Sequence, residues 1–371
     1  MRVGVPREIK SNEHRIAMVP AGVDALVRAG HEVMVAQDGG MGSGVTDQEY
    51  LDAGARIAAD NLEVFAWADM IVKVKEPLPE EYGLIRAGQT VFTYFHLAAS
   101  RELTEAMVKS GATCVAYETI EDRNGRLPLL TPMSEVAGRM SVQQGAKFLE
   151  KPMMGRGILL GGIPGVEPAH VVVLGGGVVG SNAAKIAAGL GANVVILDVS
   201  LDRLRYLDEI MPGNVSTLYS TQYAVRDQCY RADLVIGAVL TTGARAPVLV
   251  PREYLKDMKP GAVIVDVAID QGGSVETAKA TTHKDPTYVV DGIVHYCVAN
   301  MPGAVGRTST YGLTNATLPY VLRFAAQGVV ESARRDPGTA KGINVMDGKI
   351  TCKPVADFFE LPCTPLEALL R

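Results

Sequence analysis

The sequence predicts an α/β fold of two doubly wound domains, and three observations lead to this prediction. Short apolar runs rich in β-branched residues alternate with helix-like segments almost throughout the chain, as they do in parallel α/β proteins. The 371 residues exceed what one ordinary core accommodates. Apolar residues make up 47% of the chain and aromatic residues only 6%, which suits close packing of helices on sheets.

The first third of the chain predicts five strands separated by helices. The strands are at residues 2–6, 32–36, 70–74, 91–95 and 114–117. Helix-like segments lie between them, including residues 22–29 and 102–110. Each of these two ends near a glycine, Gly30 or Gly111, as the C-terminus of a helix often does.

A change of pattern near Pro132 marks the start of a second series. A long helix is predicted over residues 134–149, and the Gly/Pro-rich passage 155–168 reads as a loop. Five further strands are then predicted, at residues 171–174, 193–198, 234–237, 262–268 and 288–290. A helical segment over residues 315–334 follows them.

The second series is most simply read as a domain inserted into the first. The boundaries predicted on this basis are residues 1–130 with 305–371 for a discontinuous domain, and 131–304 for the inserted one. The sequence contains no internal repeat and no low-complexity segment.

Charge and cysteine content exclude several classes of protein. The formal net charge of −5, without a run of Lys and Arg, argues against a nucleic-acid partner. The sequence has neither a signal-peptide pattern nor 18 consecutive apolar residues, so we expect a cytoplasmic protein with no membrane partner. The five cysteines are scattered and form no C-x-x-C pair. They favour reduced thiols over disulfides or a metal site.

A glycine-rich turn, Gly175-Gly176-Gly177-Val178-Val179-Gly180, predicts a dinucleotide site. It follows the predicted strand 171–174 and opens a helix-like run at residues 178–190. In a Rossmann-like turn the first glycine permits the bend, the second lets the backbone approach the pyrophosphate, and the third lets the helix lie close to the strand. The helix N-terminus then offers free N–H groups to the phosphates. The alternative is a tight strand–helix turn with no ligand.

An acidic residue, Asp198, ends the next predicted strand, eighteen residues beyond Gly180. A carboxylate there can accept hydrogen bonds from the adenosine ribose and would repel a 2′-phosphate, which favours NAD over NADP. Asp198 could instead be a solvated strand end. Arg203 and Arg205 weaken the preference for NAD because an arginine can receive a 2′-phosphate. One of them could also lie over the adenine or pair with Asp198.

Four polar residues follow predicted strands: Arg15, Lys75, His96 and Asp270. Because ligands gather at the carboxyl ends of parallel strands, we expect these residues to face an active-site cleft that separates the two domains. Each residue alone is weak evidence. A histidine that ends an apolar strand is more often structural, and a single Lys or Arg there is usually solvated.

Several motifs resemble those of bacterial L-alanine dehydrogenases, and the related α subunit of proton-translocating transhydrogenase shares much of the same frame. The resemblance covers essentially the whole chain. It is carried by Glu13-His14-Arg15, Lys73-Val74-Lys75-Glu76-Pro77, Phe95-His96-Leu97-Ala98, Pro132-Met133-Ser134-Glu135-Val136-Ala137-Gly138-Arg139, Gly162-Ile163-Pro164-Gly165-Val166, Asp266-Val267-Ala268-Ile269-Asp270-Gln271-Gly272-Gly273 and Val298-Ala299-Asn300-Met301-Pro302.

The resemblance implies a hydride transfer in which L-alanine, NAD and water give pyruvate, ammonium and NADH. By the family pattern, Arg15 and Lys75 bind the substrate carboxylate and carbonyl oxygen, His96 is the acid/base group, and Asp270 assists it. These residue types suit the chemistry. Arginine matches a carboxylate bidentately, lysine stabilises a developing oxyanion, and a histidine changes charge near neutral pH.

The resemblance also assigns the domains and the cofactor contacts. Residues 131–304 would form the NAD-binding Rossmann domain, and residues 1–130 with 305–371 the substrate domain. Lys279 stands where an arginine is expected, and a lysine lacks the planar fork. Ser220 could instead be an ordinary helix N-cap. The contacts implied are Ser134, Gly175, Gly177, Val178, Val179, Gly180, Asp198, Arg203, Ser220, Val239, Leu240, Val267, Ala268, Ile269, Asp270, Lys279, Val298, Ala299, Asn300 and Met301.

The resemblance further implies a homohexamer. Two rival functions are a transhydrogenase α subunit, which exchanges hydride between two nucleotides at a membrane partner, and a non-catalytic NAD-binding sensor. Two observations favour the dehydrogenase over the first rival: His96 and Asp270 stand in their motifs, and no membrane span follows them. A sensor does not need Arg15, Lys75 and His96 together at strand ends, which disfavours the second.

Overall fold

The computed structural model describes residues 1–239 and 246–370, and it divides into two compact units. The first unit comprises Met1–Met133 with Gly303–Arg371, and the second comprises Ser134–Pro302. The strands are β1 (Arg2–Val5), β2 (Glu32–Ala36), β3 (Arg56–Ala58), β4 (Met70–Val72), β5 (Thr90–Thr93), β6 (Thr113–Ala116), β7 (His170–Leu174), β8 (Asn193–Asp198), β9 (Val215–Tyr219), β10 (Leu234–Gly237), β11 (Val263–Asp266), β12 (Thr287–Val290), β13 (Ile293–Tyr296), β14 (Ile343–Met346) and β15 (Lys349–Ile350).

The helices vary from single turns to one that runs for six turns. They are α1 (Pro20–Arg28), α2 (Asp47–Asp52), α3 (Asn61–Trp67), α4 (Pro79–Tyr82), α5 (Arg101–Ser110), α6 (Thr131–Phe148), α7 (Val178–Gly189), α8 (Leu201–Ile210), α9 (Gln222–Arg231), α10 (Arg252–Leu255), α11 (Gly306–Gln327), α12 (Val329–Arg335), α13 (Pro337–Ala340) and α14 (Lys353–Phe359). Among the described residues, none of these helices has the length and apolarity that a bilayer crossing requires.

The first unit contains an eight-stranded sheet in the order β15-β14-β6-β5-β4-β1-β2-β3. Strands β1 to β6 run parallel, and the hairpin β14–β15 joins them antiparallel at the β6 edge. Strand order reverses between β1 and β4, where a doubly wound sheet opens a crevice at its carboxyl edge. Aromatic packing fixes α11 on this sheet, since Phe92 lies 5.1 Å from Phe324 and 4.3 Å from Tyr117 between ring centroids.

The second unit contains a seven-stranded sheet in the order β12-β13-β11-β10-β7-β8-β9. Its strands are parallel except β12, which pairs antiparallel with β13. The strand order reverses between β7 and β10. The central strand β7 reads His-Val-Val-Val-Leu and is buried from its second residue onward, as expected for a strand covered on both faces. The predicted α/β fold with two doubly wound domains is therefore confirmed.

Most predicted elements are present, with differences at their ends. The strands predicted at residues 70–74 and 91–95 stop two residues early, at Val72 and Thr93. Beyond these ends the N–H groups of Lys73 and Tyr94 still donate to the carbonyl oxygens of Phe92 and Val74. The following N–H groups bond to carboxylates: Val74 donates to Glu8 and Phe95 to Glu118. The helix predicted over residues 315–334 is two helices, α11 and α12, separated at Gly328, whose φ is 82°.

Candidate functional site

The glycine turn after β7 has the geometry that a dinucleotide site requires. Gly175 adopts a left-handed φ of 103°, which favours glycine. A Cβ placed on Gly180 would lie 1.8 Å from the Gly175 carbonyl oxygen, so any side chain there would push α7 off the strand. A Cβ on Gly177 would meet no protein atom within 4 Å. Gly175 and Gly180 are therefore required by the backbone conformation and by the contact of α7 with the turn, whereas the space beside Gly177 is open to a ligand.

The N-terminus of α7 is suited to binding an anion. Gly177 is the N-cap of this twelve-residue helix and, within the described residues, no side chain caps it. The first N–H groups of a helix lack intrahelical acceptors and carry partial positive charge. A pyrophosphate would accept hydrogen bonds from these N–H groups, and its negative charge would be stabilised by their partial positive charge. The residues present thus fit the dinucleotide that the sequence predicts.

Asp198, the last residue of β8, supports the glycine turn directly. Its Oδ2 accepts a hydrogen bond from the Gly176 N–H at 2.7 Å, and its Oδ1 accepts one from the Ser200 N–H at 2.8 Å. A carboxylate has about four acceptor sites, so ribose hydroxyls can still donate to it. Arg203 does not pair with Asp198, because its Nε donates to the Gly176 carbonyl oxygen at 2.5 Å. Arg205 pairs with Asp202 at 2.7 Å.

The predicted cofactor residues follow six neighbouring parallel strands of the second unit. Strand order therefore brings them to one edge of the sheet, although they are scattered over more than a hundred positions of sequence. In sheet order they follow β9 (Ser220), β8 (Asp198), β7 (Gly175, Gly177, Val178, Val179 and Gly180), β10 (Val239), β11 (Val267, Ala268, Ile269 and Asp270) and β13 (Val298, Ala299, Asn300 and Met301).

Three predicted cofactor residues are not placed at these strand ends by the structure. Ser134 lies in α6, and Lys279 is exposed in the segment before β12. The alternative role of Ser220 as a helix N-cap is wrong, because Thr221 caps α9 by accepting from the Ala224 N–H. Leu240 lies outside the described residues.

A buried carboxylate, Asp266, shapes the turn that carries Asp270. It accepts hydrogen bonds from the backbone N–H groups of Ala268 at 3.0 Å and Ser274 at 2.7 Å. Burial raises the pKa of the Asp266 carboxyl, and these hydrogen bonds oppose the rise. The 3₁₀ turn Val267–Gln271 that follows leaves Asp270 exposed at the carboxyl end of β11. Asp270 belongs to the second unit, whereas Arg15, Lys75 and His96 belong to the first.

Arg15 is a buried guanidinium held by Glu13. Its Nε donates to Glu13 Oε1 at 2.7 Å and its Nη2 to Glu13 Oε2 at 2.5 Å, while only 3% of the residue is exposed. Burial opposes the charge, but Glu13 raises the pKa of the guanidinium. Nη1 donates to the Met133 Sδ at 3.1 Å. Glu13 thus holds the Nε–Nη2 edge of the guanidinium and fixes its orientation.

Lys75 lies in the segment between β4 and α4, close enough to Arg15 for the two charges to interact. Burial and the charge of Arg15 both lower the pKa of the Lys75 ammonium. Its carbonyl oxygen accepts from the Thr93 hydroxyl at 2.8 Å, which ties the segment to β5. Two cations brought together in a partly buried place favour a bound anion, because an anion relieves their mutual repulsion.

His96 follows β5 in a left-handed backbone conformation, with φ of 49°. Such a conformation costs about 1–2 kcal/mol for a residue with a side chain. The Glu118 carboxylate offsets this cost: its Oε1 accepts from the His96 N–H at 2.6 Å and from the Phe95 N–H at 3.2 Å. The imidazole stacks on the Tyr94 ring at 5.9 Å between centroids, and its side chain is 47% exposed. His96 is thus fixed at the backbone and open at the ring.

Three carboxylates near these residues had no role assigned from the sequence: Glu8, Glu13 and Glu118. Glu118 follows β6 as His96 follows β5, so the strand-end rule that selected the other residues would have selected it as well. Glu13 stands two residues before Arg15 in a quoted motif. Glu8 follows the first predicted strand by two residues, but its partners, 66 and 67 positions away, are not evident from the sequence. Among the described residues, no cluster of three or more His, Cys, Asp or Glu could hold a metal ion.

The two sheets and the glycine turn define a two-domain dinucleotide-binding protein of the α/β class. Comparison with known proteins gives the particular family. The family models described as alanine dehydrogenase/PNT N-terminal domain and C-terminal domain match residues 4–137 and 141–353. The chain belongs to the alanine dehydrogenase/PNT family.

Individual relatives match over nearly their whole length. Alanine dehydrogenase of Methanococcus maripaludis is 55% identical over 372 residues, which cover 100% of both chains. A solved L-alanine dehydrogenase structure superposes with a TM-score of 0.94 and 51% identity, covering 97% of this chain and 99% of the other. The transhydrogenase from Sinorhizobium meliloti superposes with a TM-score of 0.80 but only 26% identity, over 94% and 98% of the two chains.

Proposed function

We propose that the chain catalyses the reversible oxidative deamination of L-alanine to pyruvate and ammonium, with NAD as hydride acceptor. The observation that carries the proposal is the pair of partly or fully buried cations, Arg15 and Lys75, at the same sheet edge as His96. A small anionic substrate is what such a pair binds. The family membership supplies the reaction, because the matched relatives at 50% identity or more are named alanine dehydrogenase.

Arg15 and Lys75 bind and orient the substrate in this proposal. Arg15 receives the substrate carboxylate, because a guanidinium matches a carboxylate in shape and charge. Lys75 donates to the oxygen that becomes the carbonyl oxygen of pyruvate. That oxygen carries negative charge while water adds to the imine, and the nearby ammonium stabilises it.

His96 moves the protons. L-alanine loses a hydride from its α carbon to give an imine, and NAD, when bound, supplies the hydride acceptor. His96 takes a proton from the attacking water and returns one to the departing nitrogen, so that alanine, water and NAD balance pyruvate, ammonium, NADH and one proton. We assign Asp270 the ordering of water or ammonia, on the resemblance of its motif.

The cofactor contacts remain part of this proposal. The α7 N-terminus at Gly177 and Val178 would hold the pyrophosphate, and Asp198 would accept from the adenosine ribose hydroxyls. Most of the other described contacts follow the same strand ends, whereas Ser134 lies in α6 and Lys279 in the segment before β12. Arg203 is close to the turn through its bond to Gly176.

Initial rates for a panel of small L-amino acids with NAD and NADP, and for pyruvate with ammonium, test the function. We expect turnover of L-alanine with NAD, and amination of pyruvate by ammonium with NADH. No turnover with alanine would favour hydride exchange between nucleotides, as in a transhydrogenase. Binding of NADH without turnover of any substrate would indicate a sensor.

We predict that Asp198→Gly reduces the preference for NAD over NADP. The carboxylate that would repel a 2′-phosphate is removed, and the Gly176 N–H loses its acceptor. Asp198→Asn is the matched control, since it keeps an acceptor for Gly176 but not the charge. The measurement is the ratio of kcat/KM for the two cofactors. A ratio that stays unchanged in both variants would remove Asp198 from ribose recognition.

We further propose a cytoplasmic homohexamer. Exposed apolar side chains in the loop after α6 support association with further copies: Leu159, Ile163 and Val166 are each at least 60% exposed. The five cysteines are free thiols, which fits a reducing compartment. Native mass spectrometry should give six copies, and a monomer at micromolar concentration would contradict the assembly.

A further inference from the structure

Behind Lys75 lies a buried ionic cluster that the proposed reaction does not use. The Lys73 ammonium, with no exposed side-chain surface, lies 2.7 Å from the Glu81 carboxylate and 3.5 Å from that of Glu8. Burial alone would lower the pKa of Lys73, but the two glutamates raise it. A buried ion pair is weak evidence for a stabilising role, because desolvation offsets most of the attraction. The other contacts of its members show what else the cluster does.

Glu8 makes contacts that the ionic cluster does not require. Its Oε1 accepts hydrogen bonds from the backbone N–H groups of Val74 at 2.6 Å and Lys75 at 3.4 Å. Both residues lie beyond the end of β4 at Val72. Their carbonyl oxygens accept from the Tyr94 N–H and the Thr93 hydroxyl on the β5 side, whereas their N–H groups donate to Glu8. Glu81 closes the other end of the same segment by accepting from the Leu78 N–H at 3.0 Å. The segment that carries Lys75 is thus fixed by carboxylates at both ends.

We infer that Glu8 is a positioning residue for substrate binding, which acts by fixing the backbone of Lys75. The inference rests on the proposed function, in which Lys75 contacts the substrate. Glu118 provides an independent parallel, because it holds the Phe95 and His96 N–H groups in the same way one strand along the sheet. Glu8 itself is 3% exposed at its side chain and touches the main chain, so it is not a catalytic residue.

Glu8→Asp separates this role from the ionic cluster. The shorter side chain keeps the negative charge that Lys73 needs, and it withdraws the oxygen from the Val74 N–H. We expect the KM for pyruvate to rise about tenfold, since a displacement near 1 Å can cost up to about a hundredfold. The KM for NADH should change less than about twofold, and kcat should fall less than the KM for pyruvate rises.

Asp69→Glu is the matched control, because it also changes a carboxylate by one methylene. Asp69 lies at the amino end of β1 and β4, whereas Glu8 lies at their carboxyl end. Asp69 accepts from the Arg2 N–H at 2.9 Å. We expect its variant to leave both KM values within about twofold. Circular dichroism and the melting temperature confirm that each variant is folded.

A double-mutant cycle with Lys75→Ala decides the inference. If Glu8 acts through Lys75, then Glu8→Asp adds less than about a twofold effect in the Lys75→Ala background. The inference is overturned if Glu8→Asp leaves the KM for pyruvate unchanged, or raises it equally in both backgrounds, while Lys75→Ala alone raises it. If Lys75→Ala alone changes nothing, the substrate site itself is misassigned, and both proposals fail together.

Discussion

His96→Ala is expected to lower turnover by about two orders of magnitude or more, the usual range for loss of a general acid/base. The affinity for NADH should stay nearly intact, because the glycine turn and Asp198 belong to the other unit. Stopped-flow or steady-state rates of pyruvate amination give kcat, and fluorescence titration gives the Kd for NADH.

A second substitution removes an ambiguity in this result. His96 has a left-handed backbone, and alanine disfavours that conformation, so loss of activity in the alanine variant could arise from a displaced turn. Asparagine tolerates the left-handed region but transfers no proton. We therefore expect His96→Asn to be as inactive as His96→Ala. Activity retained by the asparagine variant would mean that His96 serves the turn and not the chemistry. His31→Ala is the control: His31 directly precedes β2, at the amino end of the sheet, and its variant should stay within about twofold of the parent chain.

Gly180→Ala should largely abolish dinucleotide binding. Its methyl group would lie 1.8 Å from the Gly175 carbonyl oxygen, so α7 or the turn has to move. Overpacking of this kind costs about 1–3 kcal/mol of the free energy of unfolding, and the displaced N–H groups no longer meet the pyrophosphate. We expect the Kd for NADH to rise at least about tenfold, together with a lower midpoint in denaturant.

The same helix contains its own control. A Cβ on Gly189, the last residue of α7, would meet nothing within 4 Å. Gly189→Ala should leave NADH binding unchanged and raise stability slightly, because alanine loses less backbone entropy than glycine on folding. If the two alanine variants bind NADH equally well, the close approach of α7 to the strand does not matter for the site.

The fold class and parts of the site could be predicted at positions where only one residue type meets the physical requirement. The alternation of strands and helices gave the fold class, and the glycines at 175 and 180 stand where the backbone leaves no room for anything else. Arg15, Lys75 and His96 were selected because they follow strands, and the sheet order puts those strands side by side. The strand-end rule works because parallel strands present their carboxyl ends at a common edge.

Other features depend on contacts that the sequence does not encode locally. The edge strand β9 is largely exposed and lacks an apolar run, and β14 joins the sheet from over two hundred residues away. The break at Gly328 could not be distinguished from a glycine within a helix. The partners of Glu8 and Glu118 are likewise remote, so their hydrogen bonds to Val74 and Phe95 emerge only in three dimensions.

Fastening a loop by its main chain has a consequence for engineering. Glu8 and Glu118 hold peptide N–H groups, which every residue except proline possesses, so the hold does not depend on which side chain the loop displays. Position 75 can therefore be substituted while the backbone that presents it keeps its shape, and position 96 can be substituted by residues that tolerate a left-handed backbone, such as asparagine. A library directed at these two positions, with both glutamates kept, would sample new chemistry on an unchanged scaffold. Substituting Glu8 or Glu118 would instead displace the backbone at these positions.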